Sequence, residues 1–124
     1  MDSTALQVTP AEGGLLAVAG TFVLGALFYA LTAHIAARYV LGDVPVTRAL
    51  MVGPVPALVT ILLQQYPVAV MLVMGFLADF LAIRFVYRVR LKTGGLITVI
   101  HYTVTVLIAL VLANLLALLS TAPV

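Results

Sequence analysis

A chain of 124 residues with 65% hydrophobic and 8% charged side chains has too little polar surface for a water-soluble globule, in which about a quarter of the residues are charged. Its mean hydropathy of +1.28 calls for lipid as solvent, and the absence of cysteine removes disulfides, thiolate metal sites and dithiol redox relays. The formal net charge of +2 comes from basic side chains that border apolar runs without aromatic interleaving, so it points to membrane topology and anionic headgroups, not to nucleic acid.

Residues 1–13 hold Asp2 and Glu12 but no Lys or Arg, unlike the positive start of a secretory signal. The apolar run that follows, residues 14–37, is long enough at about 36 Å to cross a hydrocarbon core of about 30 Å, and is expected to be retained as an anchor with the tail translocated. Gly42, Asp43 and Pro45 then mark a turn between Arg38 and Arg48. The second run, residues 49–65, contains Gly53, Pro54 and Pro56. The prolines lack the amides that would bond the carbonyls of Leu50 and Val52, so a kink is expected. Gln64, Gln65, Tyr66 and Pro67 form an uncharged outer turn. The third run, residues 67–86, ends in a basic stretch with Arg84, Arg88, Arg90 and Lys92, closed by Thr93, Gly94 and Gly95. Arg84 is near enough to the end to snorkel. The fourth run covers residues 96–119.

All six basic side chains thus fall into two segments two crossings apart. Moving Lys and Arg across a bilayer is costly, so both segments are expected in the cytoplasm and both chain ends outside. The expectation is an all-α, polytopic integral membrane protein: four transmembrane helices in a single domain, multi-pass in the cell membrane. Residues Gly13, Ala17, Thr21 and Gly25, and again Thr105, Ala109, Ala113 and Ala117, place small side chains every four positions, which favours close helix contacts within the bundle or between protomers. Residues 31–40 also align without gaps on residues 77–86, with Arg38 on Arg84, a faint sign of a parallel two-helix repeat.

Few side chains could carry chemistry. Asp79, His101 and His34 lie at depths of roughly 10, 8 and 6 Å from the inner face, in the layer of the Gly53, Pro54 and Pro56 kink. A carboxylate at mid-bilayer costs about 2.5 to 3.5 kcal/mol, so Asp79 requires a partner or a proton, and His101 is the first partner to test. These three could form a protonatable or cation-binding cluster beside the freed carbonyls. The plainer alternative is that Asp79 pairs with His101, Tyr102 or Arg84 and only holds helices together. A two-His, one-carboxylate metal site lacks any local motif. Thr98, His101 and Thr105 share one helix face that could line a cavity, although intramembrane threonine commonly bonds its own helix. Ser3 and Ser120 lie outside the spans, and no hydrolase, nucleotide-binding or metalloprotease motif occurs, so no catalytic residue is expected.

The stretches from Ala37 to Pro45, from Gly53 to Leu58 with Gln64 to Pro67, and from Ala78 to Arg84 resemble a family of small four-span membrane proteins of halophilic archaea to which no activity attaches. Small multidrug transporters are similar in size but use an intramembrane Glu in the first span, whereas Glu12 precedes it here. Fluoride channels are also similar in size, yet their Asn- and Phe-containing tracks have no counterpart. The expected role is a structural or accessory membrane component without enzymatic activity, metal or cofactor. Its expected partners are the lipid bilayer and a second copy or another membrane protein. The alternative is an oligomeric proton- or cation-coupled transporter or channel subunit.

Overall fold

Glycine and proline set several of the helix boundaries. The computed structural model describes residues 13–122, so the tail bearing Asp2, Ser3 and Glu12 lies outside the described residues. Helix α1 (Gly13–Leu41) ends where Gly42 takes φ 86, a conformation that suits glycine, and donates its N–H to the Arg38 carbonyl at 3.0 Å. Extended Pro45 leads into α2 (Val46–Val52), and Pro54 opens α3 (Pro54–Leu62) at a position whose N–H would have no helical partner. Between them Gly53 keeps helical dihedrals, φ −52 and ψ −42, so the hydrogen-bond ladder breaks while the chain continues to wind. A turn ending at Pro67 leads into α4 (Val68–Tyr87), which stops at left-handed Arg88, and α5 (Leu91–Thr121) follows.

The architecture is all-α. Gly14–Leu41, Val68–Tyr87 and Leu91–Thr121 are long and apolar enough to cross a membrane, and Val46–Leu62 forms a shorter apolar pair. Helix α1 packs on α5, α2 and α3, while α4 packs on α5, α3 and α2, which sets α1 and α4 on the diagonal of a four-membered ring. Val40, Leu41 and Val44, at and just after the end of α1, and Val86 and Val89, at and just after the end of α4, make contact with one shared buried cluster. That contact gathers Arg38, Arg48, Arg84, Arg88, Arg90 and Lys92 at one end of the bundle.

Gly94 and Gly95 depart from the sequence expectation: they lie inside α5 instead of closing the loop. A Cβ on Gly94 would stand 3.4 Å from Phe80 and 3.5 Å from the Arg84 Cβ, so this glycine permits close approach of α4 and α5.

The interior is inverted relative to a soluble protein. Ala30, Ala33, Ala36, Ala37, Ala49 and Ala57 are buried, while most leucines, together with Phe85 and Tyr39, face outward. Packing in such an interior rests on close contact of small side chains, the arrangement that a lipid surrounding, with no hydrophobic drive between helices, would favour. The tightest contact is at Gly53, where a Cβ would come within 2.3 Å of the Ala26 carbonyl oxygen and 2.9 Å of the Ala30 Cβ. The faint repeat is echoed in burial: Ala33 and Ala37 are buried, as are their counterparts Asp79 and Ile83.

The two small-residue ridges are mostly unused within the chain, which corrects the expectation of in-bundle contacts. Gly25 of the first ridge approaches Ala57, at 3.5 Å, while Ala17, Thr21, Ala109, Ala113 and Ala117 are exposed. The reason is length: α1 and α5 rise about 43 and 46 Å, whereas α4 rises about 30 Å. The α3–α4 hairpin turns back before it can cover the far halves of its neighbours.

Candidate functional site

Asp79 projects from the middle of α4 and His101 from the N-terminal half of α5, and both are enclosed, with 0% and 1% exposure. His101 Nδ1 lies 2.5 Å from Asp79 Oδ2. The other ring nitrogen, Nε2, lies 2.7 Å from Thr32 Oγ1 on α1, and the Thr32 hydroxyl donates to the Tyr29 carbonyl at 3.1 Å. A single polar chain therefore runs from α4 through α5 to α1 and joins the diagonal helices of the ring.

Counting protons gives the charge of this chain with the Thr32 hydroxyl donated to Tyr29. Thr32 has one hydroxyl proton, and once it is donated to Tyr29 the oxygen can only accept, so His101 Nε2–H is the donor to Thr32. The one remaining proton lies between Nδ1 and Oδ2. Whichever atom holds it, carboxyl and imidazole together are neutral, the state that a low-dielectric interior tolerates. Tyr29 and Tyr102 flank the imidazole edge-on, with centroids at 6.3 and 6.1 Å, and restrict its rotation.

His34 does not join this chain. Its Nδ1 is buried without a hydrogen-bond partner, and among the described residues no three His, Asp or Glu side chains converge as a metal ion would require. Thr32 takes the place expected for His34. Of the other polar residues on α5, Thr98 bonds the Gly94 carbonyl of its own helix at 2.7 Å, while the buried Thr105 hydroxyl has no partner. Near the kink, Thr60 donates to the Pro56 carbonyl at 2.8 Å. Arg84 forms no pair with Asp79; among the described residues the only acid–base contact within 4.0 Å is Asp79 with His101.

A cavity of about 180 Å³ lies beside the imidazole, lined in part by Tyr29, Thr60, Gly75, Tyr102 and Thr105. The Tyr102 hydroxyl sits over Gly75, where a Cβ would be 3.0 Å away. Asp79 does not line this cavity, and its Oδ1 is buried without a partner. The arrangement can hold and share a proton and can tie three helices together. It presents no activated nucleophile.

No curated protein and no solved structure matches this chain. A family model does match, over residues 12–123, which includes every described helix and the whole Asp79–His101–Thr32 chain. The protein thus belongs to DUF7473, a family of unknown function.

Proposed function

We propose that this protein is a four-span membrane component with a structural or accessory role and no enzymatic activity, and that Asp79, His101 and Thr32 act as an internal clamp. One observation carries the reading: Asp79 and His101 are sealed from the surroundings and bonded to each other at 2.5 Å. A carboxylate that serves transport must exchange protons or ions with water, whereas a neutral, enclosed pair has no such route.

The four-span weave in a cell membrane, with both ends outside, belongs to the same reading, as does a family composed of small proteins of halophilic archaea. Support for the weave comes from the gathering of all six basic side chains at one end of the bundle. The α2–α3 pair, Val46–Leu62, rises only about 25 Å, so the bilayer would thin locally around it or its turns would lie in the headgroup layer. Residues 109–121 of α5 are exposed throughout and offer a partner helix, from a second copy or another membrane protein, the surface it would need.

A second reading, a proton- or cation-coupled carrier or channel subunit, draws on the cavity beside His101 and on the free Asp79 Oδ1. Flux measurements in proteoliposomes separate the two. The clamp reading expects no proton or cation flux from the native chain or from Asp79→Asn; flux that Asp79→Asn abolishes would replace it with the carrier reading.

A further inference from the structure

A groove of about 870 Å³ runs down the outer side of α4, with Val55 of α3 forming part of its wall. Its lining runs from Ala78 and Ala82 past Phe85 to Arg84 and Arg88 at the end of α4, which we take as its mouth. From residue 78 to residue 88 the helix rises about 15 Å, which equals half of a hydrocarbon core of about 30 Å. The groove therefore has the depth of one leaflet, apolar inside and doubly cationic where the headgroups lie.

Three further observations point to an anion at that mouth. Neither guanidinium has a carboxylate within 4.0 Å among the described residues. Arg84 lies in the last turn of α4 and Arg88 is the residue that ends it, so both guanidinium groups leave the same end of the helix, where one phosphate could bridge them. Arg88 also holds the left-handed conformation that ends α4, φ 55 and ψ 50, where glycine would fit without steric cost. A non-glycine residue in this strained conformation is a candidate for a role of its side chain.

We propose that this groove is a binding site for one anionic phospholipid, with its phosphate between Arg84 and Arg88 and a hydrocarbon chain along Ala82 and Ala78. A second copy of this chain fits the charge less well, since it would bring the same two guanidinium groups and, at this end among the described residues, only Asp43 as an acid. The proposal rests on the membrane reading above.

The test uses the full chain reconstituted in vesicles of phosphatidylglycerol or phosphatidylcholine, followed by native mass spectrometry of lipid retained on the released protein. Retention of one phosphatidylglycerol, at least tenfold over phosphatidylcholine, is expected. Arg88→Gly, which relieves the backbone, and Arg84→Gln should each reduce that preference about tenfold without lowering thermal stability in phosphatidylcholine. Ala82→Leu, which fills the groove, should also reduce the preference, and glycerol phosphate alone should not compete. Arg90 does not line the groove, so Arg90→Gln should retain lipid as the native chain does. Equal loss in Arg90→Gln would show diffuse attraction and overturn the site. Equal retention of both lipids, or competition by glycerol phosphate, would overturn it as well. Failure of the chain to float with vesicles of either lipid would instead remove the membrane reading itself.

Discussion

Thr32 Oγ1 and His101 Nε2 lie 2.7 Å apart, a bond between the first and last helices of the bundle that spans 69 positions of sequence. Thr32→Val keeps the shape of the side chain but leaves Nε2–H without an acceptor. Interhelical bonds of this kind in lipid are worth about 0.6 kcal/mol on average and reach about 1.7. The enclosure of this bond places it near the upper value. Denaturant unfolding in detergent should show Thr32→Val less stable by about 1 to 2 kcal/mol. Combined with His101→Ala, the Thr32 change should add almost nothing, because the bond is already gone; full additivity would show that the two side chains are not coupled.

Asp79→Asn and Asp79→Ala should differ sharply. The Asn amide can donate to His101 Nδ1 while Nε2–H still serves Thr32, so the chain of bonds survives without net charge. Alanine removes the partner and leaves a buried ring nitrogen unsatisfied, which costs about 1 to 3 kcal/mol. Thermal unfolding of both variants checks this. A loss for Asp79→Asn as large as for Asp79→Ala would mean that a carboxyl group is required at this site and that the clamp account is incomplete.

Gly53 is the place where α1 and the α2–α3 pair touch most closely. Gly53→Ala would drive a methyl into the Ala26 carbonyl, and neither backbone can yield without moving a helix. Overpacking of this kind costs about 1 to 3 kcal/mol. Gly20→Ala, with nothing within 4 Å of the new methyl, is the matched control and should be neutral or slightly stabilising. Equal behaviour of the two variants in a thermal melt would contradict the close approach.

The pairing of Asp79 with His101 was legible because a carboxylate in lipid demands a partner and the two residues lie at similar depths. Thr32 was not, since an intramembrane threonine ordinarily bonds its own helix, and here it bonds both its own helix and His101. His34 looked the stronger candidate by residue type and depth. Two residues on, however, a helix has turned about 200°, so Thr32 and His34 point in nearly opposite directions and only one can face the centre. The helical character of the chain followed from composition, whereas the packing seam did not. Regular four-residue ridges drew attention to the far halves of α1 and α5, but contact requires an opposing helix, and α3 and α4 turn back too soon. The seam in use passes through Ala26, Ala30, Ala33 and Ala37, a pattern also present in the sequence, whose significance depends on where Gly53 lands.

Thr105 offers a direct probe of the cavity beside His101. Its hydroxyl is buried and bonds neither its own helix nor a neighbour. Thr105→Val removes that polar atom at constant shape, so in a dry cavity it relieves an unsatisfied group and should stabilise the bundle by about 1 kcal/mol. Water would reverse the sign. A cavity of about 180 Å³ has room for more than one molecule at about 30 Å³ each, and a water bonded to Thr105 would be lost with the hydroxyl. The same cavity touches the imidazole, so such a water would stand next to the proton shared by His101 and Asp79. A stabilised Thr105→Val in thermal unfolding agrees with an enclosed clamp. A destabilised one would put water at the dyad and move the balance toward the carrier reading.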